Sequence, residues 1–282
     1  MTDFGRTIRV RVGPSGGKGR DFRVSMGEDG PRIRFQAKKS SAREPNTLAV
    51  QLYNLAPESR AYVEREAISV IVEAGYQDRL ATFFVGDVAR SWSLRENGTD
   101  WITHLEGGDG EKAFRDARFS QAFARGTSSA TIFRSVASSM GVPLGYVSPR
   151  ALAPTKVFAR GWSFSGPARD AMDELLNDLG LVWSIQDGEL VITGEEEATT
   201  EPAVIVRAGN LSAPPAPIVE NGEITGLRLP LRLSSLYRPE RLLDVKLLDF
   251  AGLYRVTKVE IDADSGFEDA FTAMCDTRAL AA

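Results

Sequence analysis

The sequence predicts an α+β chain that is mostly β, with β-rich regions on either side of a small module of helices and a hairpin. Three observations lead there. Apolar residues alternate with polar ones through residues 1–116, the period lengthens to about 3.6 within 117–200, and alternation returns in 201–282. The 282 residues are therefore read as an N-terminal β-barrel domain (1–116), an α+β helix and hairpin domain (117–200) and a C-terminal β domain (201–282).

In "RTIRVRV", Ile8, Val10 and Val12 alternate with Arg9 and Arg11, the pattern of a half-buried strand. "GPSGGKG" follows, and "RDFRVSM" resumes the alternation with Phe22, Val24 and Met26. "RIRFQA" and "TLAVQLYNL" repeat it through Ile33 and Phe35, then Leu48, Val50 and Leu52. "APESRAYVEREA" is one short helix, with Pro57 near its start. "ISVIVEAGY" is apolar enough for a strand buried on both faces, and "LATFFVGDVARSWSL" reads as a pair of strands. Asn97-Gly98 then forms a hairpin turn between "SWSLRE" and "DWITHL".

"GTSSATIFRSVASSMG" predicts a helix with Thr127 as N-cap, an apolar stripe of Ile132, Phe133, Val136 and Met140, and Gly141 past its end. "SGPARDAMDELLNDLG" predicts another, with Pro167 in the first turn, Met172 and Leu175 on its stripe, and Gly180 closing it. Its acidic residues Asp170, Asp173, Glu174 and Asp178 lie mostly off that stripe. "LVWSIQDGELVIT" is a hairpin turning at Asp187-Gly188.

"GEEEATTEPAV" and "SAPPAPIVENG" are rich in proline and charge and read as linkers or long surface loops. "EITGLRLPLRL", "LLDVKLLDF", "LYRVTKVEID" and "FEDAFTAMCDTRALAA" are strand-like again.

Composition narrows function. Cys275 is the only cysteine, so neither an intramolecular disulfide nor a zinc cluster is expected, and the fold must stand on packing. His104 is the only histidine, which leaves one imidazole for acid-base work. The net charge of -4, from 34 basic and 38 acidic residues spread along the chain, argues against a duplex-binding surface and sequence-specific nucleic-acid recognition. No run approaches the roughly 18 apolar residues of a membrane span, so no stable membrane anchor is expected.

Site-like motifs fail on spacing. A P-loop needs four residues before its Gly-Lys pair, then Ser or Thr opening a helix. In "GPSGGKG" three residues separate Gly13 from Gly17, Gly19 follows Lys18, and a strand comes next. The stretch is read as a flexible, basic hairpin tip. His104 could activate a serine or Cys275, yet no G-x-S-x-G elbow occurs, and Cys275 reads as a small, partly buried filler. "EGGDGEKAFRD" and "GEEEAT" look like solvated turns without spaced cation ligands. No catalytic, cofactor or metal residues are assigned.

Seven stretches in order resemble the baseplate hub proteins of long-tailed bacteriophages. They are "FQAKKSSAREPNTLAVQLYNLAPESR", "VEAGY", "FFVGDV", "GTDWITHLEGGDGEKA", "GTSSATIFRSVASSMGVPLG", "FSGPARDAMDELLNDLGLVWSIQDGELVI" and "GLYRVTKVEIDADSGFEDAFTA". The resemblance spans roughly residues 4 to 275 and implies two tube-like β-barrel modules flanking the small α+β module. It implies a structural, non-enzymatic homotrimer with pseudo-sixfold symmetry, linking the hexameric tail tube or distal tail ring to the central spike. Such a hub encloses the channel for DNA and the tape measure protein and serves host attachment and genome ejection. The implied partners are tail tube or distal tail protein, tape measure protein, spike or tail tip protein and baseplate wedge proteins, in a virion assembled in the host cytoplasm. The family often has a glycine-containing turn where this chain reads "YRPERLLDV", with Arg238, Pro239 and Glu240. The alternative is a tail-associated cell-wall-degrading enzyme or a peptidoglycan-binding module in the middle segment.

Overall fold

The computed structural model describes residues 5–14, 19–76, 79–96, 98–153, 157–177, 179–194, 197–266 and 270–280. Its first elements are β1 (Arg6–Gly13), β2 (Arg20–Ser25), β3 (Ile33–Ser40), β4 (Thr47–Tyr53), α1 (Pro57–Glu66), β5 (Ser69–Tyr76), β6 (Arg79–Glu96) and β7 (Asp100–Gly108). Alternation has the expected effect: Ile8, Val10 and Val12 are buried while Arg9 and Arg11 turn outward. Pro57 opens α1, where its missing N–H costs no helical bond.

The motif "GPSGGKG" joins two strands, since β1 and β2 pair antiparallel from Thr7↔Ser25 to Val12↔Arg20. Its tip, Ser15 to Lys18, lies outside the described residues. Gly19 is required by crowding, because a Cβ there would meet the Val12 carbonyl oxygen at 2.3 Å. β6 and β7 form the expected hairpin, closing at Glu96↔Asp100; Asn97 of its turn lies outside the described residues.

Two expectations for this region need correction. β5 is fully buried on one face only, through Val70, Val72 and Ala74, while Ile71 stays half-buried on the other. "LATFFVGDVARSWSL" forms one strand, not two: β6 pairs with β5 up to Asp87 and with β7 from Asp87 onward, across a bulge between Val88 and Arg90. Gly86 and Asp87 resemble a turn in sequence, yet they mark a change of partner. A Cβ on Gly86 would lie 2.4 Å from the Gly108 carbonyl oxygen, so glycine permits the close approach.

The next elements are α2 (Glu111–Asp116), β8 (Arg118–Phe123), β9 (Thr127–Ser128), α3 (Ser129–Met140), β10 (Leu144–Val147), α4 (Pro149–Leu152) and β11 (Val157–Phe158). They continue as β12 (Trp162–Pro167), α5 (Ala168–Asn177), β13 (Leu181–Gln186) and β14 (Glu189–Gly194). The stripes of α3 and α5 meet in one core that includes Ile132, Phe133, Met172 and Trp183. Gly141 ends α3 at φ 69°, as predicted. Asp187 and Gly188, at φ 54° and 84°, turn the β13–β14 hairpin, also as predicted.

The N-cap of α3 is Ser128 rather than Thr127. Its Oγ accepts from the Thr131 N–H at 3.3 Å, while Thr127 is held in β9 opposite Phe158. Pro167 is the last residue of β12, opposite Arg118, so α5 begins one residue later than the sequence suggests. "EGGDGEKAFRD" is not a solvated turn: it contains the end of β7, a fully buried Asp109 and α2.

The chain closes with β15 (Val204–Val206), β16 (Ala216–Glu220), β17 (Glu223–Arg232), β18 (Leu242–Lys246), β19 (Ala251–Asp264) and β20 (Phe271–Ala279). β16 arises within "SAPPAPIVENG", read as a linker, while β15 begins at Val204, the last residue of "GEEEATTEPAV". β16 and β17 form a hairpin on Asn221-Gly222, at φ 52° and 85°, and the prolines of "SAPPAPIVENG" obscure that signal. Pro217 is tolerated because β16 is an edge strand.

One sheet runs β16-β17-β20-β19-β3-β4-β7-β6-β5-β1-β2, with β18 against β19 and β15 parallel to β18. Its central seam is β3 with β19, antiparallel from Arg34↔Asp264 to Ser40↔Lys258. The chain is thus mostly β, with α2 to α5 in the middle of the sequence and α1 between β4 and β5. Two compact units result: residues 1–40, 46–109 and 201–282 form one, and 41–45 with 110–200 form the other. Among the described residues no helix is long and apolar enough to cross a membrane.

Candidate functional site

His104 and Cys275 do not meet. His104 sits half-buried in β7, where its ring stacks on Trp92 with centroids 5.0 Å apart and planes within 4°. Its Nε2 lies 3.2 Å from Glu96 Oε1, and the Arg90 guanidinium lies 5.0 Å from the Trp92 ring centre. Cys275 is fully buried in β20, four strands away along the sheet, and burial pushes its thiol pKa far up. Among the described residues no group of three or more His, Cys, Asp or Glu is placed to hold a metal ion.

The distinctive polar construction is the outward face of the sheet around the β3–β19 seam. Alternation buries Phe35, Ala37, Val259, Ile261 and Ala273 beneath it and turns the charged residues outward. There several acids and bases pair, most of them across strands. Arg32 grips Asp264 through Nε–Oδ1 at 2.9 Å and Nη2–Oδ2 at 2.6 Å, and Arg34 Nη2 reaches Asp262 Oδ2 at 3.2 Å. Lys258 Nζ lies 2.7 Å from Glu260. Arg228 Nε and Nη2 donate to Asp276 at 2.7 and 2.9 Å, and Arg90 Nε donates to Glu106 at 2.7 Å.

The registers explain the matching. Asp276 stands opposite both Arg228 on β17 and Lys258 on β19, and Glu260 stands opposite Lys38 on β3. Electrostatics responds to these contacts. Burial alone would raise the Asp264 pKa, but the Arg32 hydrogen bond, the Gly266 N–H and the Arg32 and Arg34 charges outweigh it and hold it below 3.8. The hydrogen bond from Arg228 to Asp276 raises the Arg228 pKa. The exposed pairs among these, such as Arg90 with Glu106, contribute only about 0–1 kcal/mol each to stability, whereas the Asp264 carboxylate is buried.

The acidic side of α5 has a structural use that composition did not show. Trp162 Nε1 donates to Glu174 and Trp183 Nε1 to Asp173, each at 2.8 Å, and Arg43 also pairs with Asp173. Beside them is a cleft of about 210 Å³ bounded by Arg43, Asp173, Leu176, Leu181, Val182 and Trp183. Of the other acidic residues singled out, Asp170 pairs with Arg169 at 3.5 Å, and Asp178 lies outside the described residues.

No protein-family model and no curated protein matches the sequence. Solved structures do match. The 43 kDa tail protein of prophage MuSo2 from Shewanella oneidensis is similar with a TM-score of 0.65 at 10% identity, covering 96% of each chain. A tail protein from Neisseria meningitidis MC58 reaches 0.64 at 11% identity, over 98% of this chain and 97% of its own. The E. coli c3393 protein, described as a type VI secretion system component structurally similar to the T4 bacteriophage tail proteins gp27 and gp5, reaches 0.59 at 13% identity. That match covers 89% of this chain and 74% of the E. coli protein. The chain therefore has the fold of these phage tail proteins, shared with the type VI secretion component.

Proposed function

We propose that this protein is the structural baseplate hub of a phage tail or a related tail-like injection particle. It forms a homotrimer that joins the hexameric tail tube or distal tail ring to the central spike and encloses the channel for DNA and the tape measure protein. The observation that carries this reading is end-to-end similarity of fold to two tail proteins, one of them from a prophage, over 96% or more of both chains in each comparison.

Symmetry supplies the physical reason. A hexameric ring docks on a trimer if each subunit offers two similar β modules. Strands from residues 6–108 and 204–279 meet at the β3–β19 seam, the arrangement expected if they act as two tube-like barrels side by side. The helical unit would contact the spike or wedge proteins. The role is mechanical rather than enzymatic, in a virion assembled in the host cytoplasm. Obligate interfaces of this kind commonly bury more than about 2,000 Å².

Light scattering of the purified protein, alone and with tube and spike components, tests the proposal. The expected mass is that of three 30.7 kDa chains. A monodisperse monomer under all these conditions overturns it.

A further inference from the structure

We infer that the hairpin of β16 and β17 is an acidic, apolar-tipped arm that docks on the β1–β2 edge of a second copy of this chain. The inference rests on the hub reading only for the number of copies that close into a ring.

The arm leaves the sheet. β17 pairs with β20 only from Arg228↔Asp276 to Arg232↔Thr272, although β20 continues to Ala279 against β19. A side chain ends the ladder: Thr277 Oγ1 accepts from the Leu227 N–H at 3.1 Å and donates to the Leu227 carbonyl at 2.9 Å. Of residues 216–225, Ile218 and Thr225 are half-buried and the rest are exposed. A two-stranded hairpin without backing is marginally stable in water, so this one gains from being covered.

Its tip states what would cover it. Val219 and Ile224 stand opposite each other, 56% and 57% exposed, as an apolar knob. Next to the turn Glu220 stands opposite Glu223, like charges that repel, and neither enters an ion pair among the described residues. A basic surface with an apolar element offsets both.

The chain carries such a surface at the other end of its strand order. β2 pairs with β1 alone, so its outer backbone groups have no ladder partner. Arg20 and Arg23 are exposed on it, while its one acid, Asp21, is bound by Arg9. Arg20 lies 5.3 Å from the Tyr62 ring centre and enters no ion pair among the described residues. Beside it is Ile68, 50% exposed, whose N–H donates to the carbonyl of Gly13, the residue after Arg20's partner Val12. Arginines thus answer the glutamates, and Ile68 answers Val219 and Ile224. Pro217 has no N–H to extend a ladder, so the contact uses residues 218–224 rather than the whole of β16. Arm and socket are different surfaces, which makes the contact head-to-tail.

The experiment uses the full chain and light scattering over a range of protein concentrations. Wild type is expected at the mass of three 30.7 kDa chains. Val219→Ser/Ile224→Ser and, separately, Glu220→Lys/Glu223→Lys should fall to the mass of one chain with an unchanged circular dichroism spectrum, since all four residues are exposed. Arg20→Glu/Arg23→Glu, on the socket, should do the same. Joining the lysine arm and the glutamate socket in one chain exchanges the charges and should restore association, a rescue that a merely misfolded variant cannot give. If the socket variant does not fold, Arg20→Glu alone replaces it in both roles.

Folded serine and lysine variants that assemble as readily as wild type overturn the inference, as does a folded exchange variant without rescue, or a wild type that stays monomeric throughout. The two readings fail separately. A trimer indifferent to the arm sinks the docking and spares the hub, whereas wild-type chains joined through the arm into dimers or open polymers spare the docking and sink the hub.

Discussion

Glu240 and Arg255 form an ion pair inside the β unit: Glu240 Oε2 accepts from Arg255 Nη1 at 2.9 Å, with 1% and 6% of their side chains exposed. Glu240 does this from φ 67°, in the left-handed region, within the stretch "YRPERLLDV". Strain there costs roughly 1–2 kcal/mol for a residue with a Cβ. Leaving one partner of a buried pair alone costs about 3–5 kcal/mol, more than the strain, so removing the Glu240 carboxylate is not offset by relaxing its backbone.

Glu240→Ala is therefore expected to destabilise the protein by about 3–5 kcal/mol. Glu240→Gly, which relaxes the backbone, should destabilise it less. Urea midpoints of the two variants check the order; a glycine variant as stable as wild type would show that the pair is worth no more than the strain it imposes.

Asp264 gives the fold an acid-sensitive point. Its folded pKa lies below the ordinary value of 3.8, so the stability it contributes is complete above about pH 4 and disappears as pH falls through the folded value. Asp264→Asn should lower stability at pH 7 by about 1.5–3 kcal/mol, the range for a hydrogen bond to a charged group. It should also flatten the dependence below pH 4. Urea unfolding between pH 2 and 7 measures both, and an unchanged acid slope would contradict the assignment.

The capping correction separates two adjacent residues. Ser128→Ala removes the acceptor for the Thr131 N–H and should cost about 1 kcal/mol. Thr127→Ala loses only a hydroxyl bond to the Ala124 carbonyl, at 2.8 Å on the surface, and should cost less. Thermal melts of the two single variants decide which residue is the cap.

The motif "GPSGGKG" is treated as a connector. Deleting Ser15 to Lys18 leaves Gly13, Pro14 and Gly19 between the paired Val12 and Arg20, enough for a short hairpin loop. The shortened protein should retain its circular dichroism spectrum and its oligomeric mass. Loss of either would give the loop a role in folding or assembly.

Much of the local architecture was legible because it depends on neighbouring residues. Alternation at Ile8, Val10 and Val12, proline at position 57, and the turn residues Gly141 and Asp187-Gly188 each act over a few bonds, and each behaves in the structure as its chemistry requires. Failures came where distant context overrides local pattern. β16 forms despite its proline because an edge strand can spare a backbone donor, and β6 runs through Gly86-Asp87 because a new partner takes over there. Asp109 and Glu240 are buried despite their polarity because partners far along the chain receive them.

The outward face shows the same division. Because side chains alternate along an extended backbone, Arg34, Gln36 and Lys38 share one side of β3, and Lys258, Glu260 and Asp262 share one side of β19. Only the folded sheet brought those rows together: Arg34 and Asp262 are 228 positions apart, as near neighbours across the β3–β19 seam. Backbone hydrogen bonds are alike for every strand and carry no label of partner. The choice of neighbour rests with the shared core beneath, where Phe35 and Ile261 are buried together, and with the charges that this register aligns above it.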